Sequence, residues 1–320
     1  MEKNFSGSTF GNKVDGFDEP TQLPRDEAQR QQWQSANKAW WESTPMRYDW
    51  REQIGAVPGT AEYFQEIDAR FFAAARKFMP WKSRPFDDLI QFGTLADKDV
   101  LEIGTGLGTH AQLIAPCCKS FTGIDLTSAA SQMTSQRLAL FKIPGTVLQM
   151  DAEKMQFPDN NFDYIWSWGV IHHSANTRGV LTEMHRVLRS GGKSTIMVYH
   201  RSWWHFYVGG LLRGVFRNQF RTQGNLHRIA QGATDGAIAR YYTPSEWRDI
   251  TKGLFDVEFI RIYGLKAELL PIPPGRLKSL LEKLIPDRLG RLLTNQFRLG
   301  TFLVAEMRKA TPDAKTQRGI

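Results

Sequence analysis

Three glycines at alternate positions, Gly104, Gly106 and Gly108, follow the short apolar run 100–103 and precede a helix-forming stretch. Because glycine has no side chain, this pattern predicts a sharp strand-to-helix turn whose backbone can lie directly against a ligand. Glu102 stands just before the first glycine, where its negative charge would repel a pyrophosphate. The turn therefore favours a ligand that carries a positive charge.

Acidic residues follow the next two predicted strands. Asp125 stands 17 residues after Gly108, at a position where an acidic side chain accepts hydrogen bonds from ribose hydroxyls. Asp151 is suited to accept a hydrogen bond from an adenine amino group, and its neighbour Ala152 leaves room for the ring. The alternatives are a helix cap for Asp125 and a solvated loop for Asp151. We favour the ligand for both, because the turn and the acids occur together.

Three histidines are candidates for a general base. His172 and His173 come just after the fourth predicted strand, and His200 comes after the fifth. An imidazole has an ordinary pKa of about 6.5, which suits proton transfer near neutral pH. The alternative is that one of them hydrogen-bonds the backbone beneath the ligand. Tyr241 and Tyr242 are weaker candidates.

These residues must be positioned by elements that alternate between strand and helix. Strands are predicted over 100–103, 120–125, 146–150, 162–168, 193–199, 256–263 and 301–307. Helices are predicted over 109–115, 128–141, 178–188 (ended by a glycine) and 243–252. Such alternation indicates a parallel sheet with helices on both faces, and ligands bind such sheets beyond the carboxyl ends of the strands.

Composition limits the class of protein. The chain has 320 residues, 41% of them hydrophobic, and a formal net charge of +8. This size and composition fit a globular protein, and the charge suits an anionic partner or an ordinary basic surface. The adjacent cysteines Cys117 and Cys118 have no metal-ligand spacing, so we expect no metal and a reduced, cytoplasmic protein. No leader sequence and no apolar run of about 20 residues is apparent.

The ordered set of segments over roughly 98–200 resembles the class I S-adenosylmethionine-dependent methyltransferases. It is most similar to the small-molecule branch that includes the ubiquinone and menaquinone methyltransferases. The resemblance implies a Rossmann-like sheet of seven strands, mostly parallel, with an antiparallel last strand. The glycine spacing G-x-G-x-G departs from the G-x-G-x-x-G of hydride-transfer enzymes, which disfavours a dehydrogenase.

The resemblance also implies a site for S-adenosyl-L-methionine over the glycine turn, with Asp125 on the ribose. The residues expected to contact this cofactor are Glu102, Gly104, Thr105, Gly106, Gly108, Asp125, Leu126, Asp151, Ala152, Trp168 and Tyr48. His173, His172 and His200 are the residues expected to serve as base or to orient the acceptor.

Around and within this core, which we assign to 91–310, we expect five additions. They are a mobile arm over 1–24, an N-terminal helical lid over 25–90, helical insertions at 200–242 and 264–300, and a polar tail over 311–320. The aromatic residues Trp40, Trp41, Tyr48 and Trp50 are expected to cover the ligand, with Arg47 and Arg70 as candidates for a carboxylate contact. The insertions are apolar with interspersed basic residues, so an acceptor pocket, a homodimer face, peripheral membrane contact and ordinary helices packed on the sheet all stay open.

The predicted function is methyl transfer to a hydrophobic or aromatic small molecule, including a lipid-like one. An RNA or protein methyltransferase and a non-catalytic cofactor-binding scaffold are the alternatives. A nucleic-acid base is disfavoured as acceptor. The segment from Ser167 to Val170 reads Ser-Trp-Gly-Val instead of the Asp/Asn-Pro-Pro-aromatic motif of amino-directed base methyltransferases, and neither cysteine is placed to act as a nucleophile.

Overall fold

The computed structural model describes residues 13–48, 53–273 and 275–310. Within them, eight strands form one sheet. The strands are β1 (Asp99–Ile103), β2 (Ser120–Asp125), β3 (Thr146–Gln149), β4 (Phe162–Trp168), β5 (Leu188–His200), β6 (Tyr241–Tyr242), β7 (Phe255–Tyr263) and β8 (Phe302–Lys309). Their order is β3-β2-β1-β4-β5-β8-β7, with β6 paired to β5. β1 to β5 run parallel, and β8 runs antiparallel to both β5 and β7. This confirms the expected sheet, with the two-residue β6 as an eighth strand.

The helices of the described residues lie on both faces of this sheet and over its carboxyl edge. They are α1 (Glu27–Ser43), α2 (Ala61–Phe78), α3 (Thr109–Ile114), α4 (Ser128–Leu140), α5 (Thr177–Val187), α6 (Gly209–Phe216), α7 (Gln219–Gln223), α8 (Leu226–Gly232), α9 (Pro244–Thr251), α10 (Arg276–Leu284) and α11 (Asp287–Arg291). Among the described helices, none is both long and apolar enough to cross a bilayer.

The central strands are rigid because both of their faces are buried. On one face, Leu101 and Ile165 pack with Leu181 of α5 and Trp247 of α9. On the other face, Val100 packs in a second cluster that includes residues of α2 and α3. Strands buried on both sides give the loops at their carboxyl ends fixed starting points.

The end of α5 differs from the prediction. The helix ends at Val187, and Leu188 is already extended, so no glycine terminates it. Gly191, with φ +73°, instead lies within β5. The pairing of β4 with β5 shifts register here, between Phe162 and Tyr164. The glycine therefore serves a bulge in the strand, which local sequence does not distinguish from a helix cap.

The prediction of a mobile arm over 1–24 is wrong for residues 13–24. Phe17 is buried between Trp33 of α1 and His227 of α8. Arg240 Nε donates a hydrogen bond to the carbonyl oxygen of Gln22 at 2.7 Å. A polar composition concealed this docking, since most of its contacts are hydrogen bonds and an ion pair between Asp18 and Arg228, with Phe17 as the one buried aromatic side chain. The rest of that arm, Trp50 of the lid and the polar tail over 311–320 lie outside the described residues.

Candidate functional site

The glycine turn has the geometry that its sequence predicts. Gly104 and Gly106 have φ angles of +78° and +53°, in the left-handed region that favours glycine. A Cβ atom on Gly104 would lie 2.2 Å from a methyl group of Val170, so this glycine is needed for packing. A Cβ atom on Gly106 would have no protein atom within 4 Å. Gly106 therefore leaves open space beside the turn for a ligand.

Asp125 ties the end of β2 to the glycine turn. Its Oδ2 atom accepts a hydrogen bond from the backbone N–H of Gly106 at 3.0 Å. Its Oδ1 atom accepts two more from Thr127, from the backbone N–H at 3.0 Å and from the hydroxyl at 2.8 Å. Burial raises the pKa of this carboxyl, against the effect of these hydrogen bonds. A ribose hydroxyl or a nearby cation would favour its charged form.

A cavity of about 440 Å³ lies above the turn, and it brings together most of the predicted site. The predicted residues that line it are Tyr48, Gly104, Thr105, Gly106, Asp125, Leu126, Asp151, Ala152, Trp168 and His173. Gly108, Glu102, His172 and His200 are not among the lining residues.

Glu102 and Gly108 lie behind the turn. The Glu102 carboxyl is buried, and one of its oxygens is 4.0 Å from Nδ1 of His110. Burial, followed by the charge of Asp125, raises its pKa well above the ordinary value. Gly108 precedes α3 with φ +79°, where a Cβ atom would lie 3.0 Å from Arg137 Cδ. Both residues support the turn from below, and the direct ligand contact expected of them is absent from the cavity wall.

Two of the three candidate histidines also lie away from the cavity, contrary to the prediction. His172 is fully buried, with its ring 4.0 Å from that of Tyr199. Burial lowers its pKa well below the ordinary value. His200 is held by a 2.7 Å hydrogen bond between its Nδ1 and the carbonyl oxygen of Gly300. Each histidine follows the expected strand, but its side chain packs into the protein instead of facing the ligand.

His173 is the candidate histidine that lines the cavity. Its Nδ1–H donates to the carbonyl oxygen of Ile238 at 2.5 Å, which leaves Nε2 as a hydrogen-bond acceptor. Its ring packs edge-on against Trp41 at 5.0 Å between centroids. Burial lowers its pKa to about 3. The ring is therefore neutral at physiological pH and is suited to accept a hydrogen bond.

Helix α1, the first helix of the region expected to form a lid, contacts the loops beside the cavity through polar groups. Gln34 of α1 donates a hydrogen bond from Nε2 to Asp151 Oδ1 at 2.9 Å. Its Oε1 accepts one from the backbone N–H of Ala175 at 3.0 Å. Asp151 Oδ1 also accepts from the backbone N–H of Glu153 at 2.9 Å. The helix thus bridges the loop after β3 and the loop after β4.

The predicted lid aromatics divide between cavity and core. Trp41 and Tyr48 line the cavity, and Tyr48 packs on Phe71 of α2 at 5.0 Å. Trp40 is buried beneath the ammonium group of Lys13, which is 4.7 Å from the ring centroid. The remaining weaker candidates, Arg47, Arg70, Tyr241 and Tyr242, are not among the lining residues.

Asp235, in the first insertion, is a lining residue that the sequence interpretation missed. In the described part of the chain, no hydrogen bond engages its carboxylate. Lys13 of the N-terminal segment donates hydrogen bonds to the carbonyl oxygens of Thr234 and Gly236, each at 2.6 Å. Burial raises the pKa of Asp235, and the positive charge of Lys13 opposes that rise. An Asp-Gly pair in an irregular segment signals only a turn, so no local sequence pattern identified Asp235 as a site residue.

Comparisons with known proteins give a coherent picture. Residues 101–196 match the family model of a methyltransferase domain. A demethylmenaquinone methyltransferase of Tropheryma whipplei (strain Twist) is 28% identical over 104 residues, 32% of this chain and 43% of the relative. A tRNA U34 carboxymethyltransferase of Methylococcus capsulatus is 26% identical over 199 residues, 53% of this chain and 61% of the relative. The crystal structure of a geranyl diphosphate C-methyltransferase of Streptomyces coelicolor has a TM-score of 0.52 and 12% identity, covering 90% of this chain and 100% of that one.

The chain thus spans less than two thirds of the length of these curated relatives, 43% and 61% respectively. The solved structure, at 12% identity, shows the fold alone. Taken with the strand order and the glycine turn, the matches identify a class I S-adenosylmethionine-dependent methyltransferase domain in this chain.

Proposed function

We propose that this protein transfers the methyl group of S-adenosyl-L-methionine to an apolar or aromatic small molecule. One observation carries the proposal. A single cavity joins the glycine turn, Asp125 and Asp151 to an aromatic and aliphatic wall that includes Phe71 and Phe302. Charged and polar groups suited to a nucleoside therefore share one space with a surface suited to an apolar acceptor.

The residues at the polar end of the cavity fit the cofactor. Gly106 leaves space where any side chain would intrude. Asp125 is placed to accept hydrogen bonds from ribose hydroxyls, and Asp151 with Ala152 is placed beside the adenine. When bound, S-adenosylmethionine supplies an electrophilic methyl group on a positively charged sulfur. The buried carboxyls of Asp125 and Glu102 have raised pKa values, and a neighbouring positive charge would favour their ionised forms.

The other end of the cavity is suited to hold the acceptor. Phe78, Leu265 and Phe302 contribute apolar wall, and Tyr199 contributes an aromatic ring. Methyl transfer depends on holding nucleophile, methyl carbon and sulfur in line, and such positioning accounts for up to about 7–11 kcal/mol of a reaction barrier. The packed wall supplies that positioning, and the docked lid excludes water from it.

Asp235 is the residue that we propose as general base. A base at this site must be unprotonated at neutral pH and basic enough to take a proton from the acceptor. His173, with a pKa of about 3, meets the first requirement but binds a proton too weakly for the second. Burial raises the pKa of Asp235, which makes its carboxylate a stronger base, and the positive charge of Lys13 favours the unprotonated form. We assign His173 the orientation of the acceptor through Nε2.

The apolar acceptor agrees with the demethylmenaquinone methyltransferase among the relatives. The tRNA U34 carboxymethyltransferase, which matches 53% of this chain, favours RNA as the second candidate acceptor. An RNA substrate predicts label in nucleic acid and binding that weakens steeply with added salt.

A labelled-methyl transfer assay distinguishes the two candidates. The purified protein is incubated with methyl-labelled S-adenosylmethionine and a cell extract, which is then separated into organic-soluble, RNA and protein fractions. We expect label in the organic-soluble fraction, and we expect Asp125→Ala to abolish it. Label confined to RNA or to protein would overturn the proposed acceptor. Cofactor binding without label in any fraction would indicate a scaffold without turnover.

A further inference from the structure

A continuous helical segment in the first insertion carries an apolar face that points to solvent. A π-helical turn, Trp203–Val208, leads directly into α6. Trp203, Tyr207, Leu211 and Val215 are all exposed, Trp203 by 58%. Their four-residue spacing places them on one side of the helix. Phe216, at the end of α6, is 81% exposed.

The second insertion presents a similar face. Leu277, Leu280 and Leu284 of α10 are all exposed, and their spacing of three and four residues places them on one side. None of the residues of α10 is buried. In ordinary surface helices the apolar side packs against the core. Here it is the apolar side that faces outward.

The two insertions adjoin at the same edge of the sheet. The first follows β5 and the second follows β7, and both strands are antiparallel to β8 and so parallel to each other. Trp204 Nε1 donates a hydrogen bond to the carbonyl oxygen of Leu269 at 3.1 Å, which joins them. We call the exposed apolar residues of the helical segment 203–216 and of α10 the insertion face. It consists of Trp203, Tyr207, Leu211, Val215, Phe216, Leu277, Leu280 and Leu284.

Basic side chains accompany the insertion face. Arg217, Arg221, Arg276, Lys283 and Arg288 of the two insertions are exposed, Arg276 and Lys283 on α10 itself and the others on or next to neighbouring helices. Acidic residues there are fewer. Of these, Asp287 is paired with Lys266 at 2.7 Å. The whole chain has a formal net charge of +8. The face therefore complements a surface that is both apolar and anionic.

We propose that the insertion face docks on the surface of a bilayer that contains anionic lipid. Amphipathic helices with arginine and lysine beside exposed leucine and aromatic residues lie at such interfaces, with the apolar side chains in the headgroup boundary. Trp203 and Tyr207 are residue types that favour this boundary. A second copy of the chain is a poorer occupant, because a two-fold interface would bring the same basic side chains close to one another.

Docking of the insertion face on a bilayer does not depend on the proposed methyl transfer. Entry of the acceptor from the bilayer into the cavity does, and it rests on the proposed function. Leu265, at the start of the second insertion, lines the cavity. A docked protein would hold the acceptor end of the cavity next to lipid, from which an apolar acceptor could enter.

Vesicle co-sedimentation of the full chain tests docking without any methyl acceptor. Vesicles of phosphatidylcholine and phosphatidylglycerol at about 3:1 are compared with vesicles of phosphatidylcholine alone. We expect the parent protein to bind the anionic vesicles at least about tenfold more tightly, and to release them at high salt. Replacing Leu277, Leu280 and Leu284 together by glutamine should weaken binding at least about tenfold. Replacing Arg217 and Lys283 together by glutamine should weaken it for anionic vesicles only.

Phe259→Gln is the matched control, since Phe259 is an exposed aromatic residue of β7 outside the face. It should bind vesicles as the parent does, and circular dichroism should show every variant folded. Failure of the parent to bind anionic vesicles would overturn the proposal, as would unchanged binding by the triple glutamine variant. A parent dimer in buffer that the triple variant converts to monomer would assign the face to self-association instead.

Discussion

Glu42, on the first lid helix, and Ser128, at the first turn of α4, are joined by two hydrogen bonds across 86 residues of sequence. The Glu42 carboxylate accepts from the backbone N–H of Ser128 at 3.0 Å and from its hydroxyl at 2.7 Å. It also accepts from the backbone N–H of Ala129 at 2.9 Å. A residue of α1 therefore satisfies donors at the start of a core helix, directly after the loop that follows Asp125.

Removing this contact should weaken cofactor binding. Loss of a helix cap costs about 1 kcal/mol, so Glu42→Ala should lower the affinity for S-adenosylmethionine roughly fivefold by releasing the lid from α4. Isothermal titration measures the affinity. Glu19→Ala removes an exposed carboxyl from the N-terminal segment and is the control. Equal affinities in the two variants would show that the Glu42 cap is irrelevant to the site.

Alanine substitutions of Gly104 and Gly106 should have different effects, one mainly on stability and the other mainly on cofactor binding. Gly106→Ala places a methyl group in open space, so its cost to stability should be limited to the left-handed conformation, about 1–2 kcal/mol. It should nevertheless block the cofactor. Gly104→Ala collides with Val170 and should lower the free energy of unfolding by more than Gly106→Ala does. Urea denaturation and cofactor titration of both variants check this. Retained cofactor affinity in Gly106→Ala would contradict the placement of the ligand.

The proposed base predicts a specific pH dependence. Protonated Asp235 cannot accept a proton, so the rate should rise with pH through a pKa above the ordinary carboxyl value of about 4. Asp235→Asn should lower kcat by about 10²–10⁴-fold and abolish this rise, with little change in the KM for the cofactor. Lys13→Met removes the positive charge that lowers the pKa of Asp235, so the rise should move to higher pH.

Lys13→Arg keeps that charge and is the matched control, for which the rise should stay where it is in the parent. Measuring kcat as a function of pH for Asp235→Asn, Lys13→Met and Lys13→Arg checks these expectations. An unchanged profile in Asp235→Asn would remove this residue from the proposed chemistry.

The second lid helix is attached through a buried ion pair. Arg137 of α4 is fully buried, and its guanidinium binds the carboxylate of Asp68 on α2. It also donates to the carbonyl oxygen of Leu107 at 3.0 Å. Truncating one partner of a buried pair leaves an uncompensated charge, which costs about 3–5 kcal/mol. Arg137→Met should therefore lower the free energy of unfolding by about this amount.

A surface pair provides the comparison for this measurement. Arg228 and Asp18 are joined by an ion pair in which both side chains are more than two fifths exposed. Such pairs contribute about 0–1 kcal/mol, so Arg228→Gln should change the urea midpoint little. If the two substitutions destabilise the protein equally, burial is not what makes the Asp68–Arg137 pair important.

The sequence predicted those parts of the site that are fixed by local rules. The run before Gly104 forms β1, and the spacing to Asp125 brings the carboxylate back to the turn because β1 and β2 are parallel neighbours. The strand alternation likewise predicted that the central strands form a parallel sheet. These features depend on period, glycine conformation and crossover geometry, all of which are visible within a few tens of residues.

The histidines and Asp235 depend on contacts that local rules do not reach. The position of His172 follows a strand as expected, but its ring packs on Tyr199 of β5. Asp235 lies in an irregular insertion and lines the cavity in a segment that contacts Lys13, more than 200 residues away. Such long-range packing decides which way a loop side chain points. No periodicity or residue spacing in a single sequence predicts that direction.

The central claim is that the glycine turn, Asp125 and Asp151 form one site for S-adenosylmethionine. Titration of this compound by calorimetry into the parent protein, Asp125→Asn and the control Asp163→Asn, whose carboxylate lies at the far end of the sheet with Arg189, tests it most directly. We expect one binding event in the parent and the control, and at least about tenfold weaker affinity in Asp125→Asn. No binding to the parent, or equal affinity in all three proteins, would contradict the account.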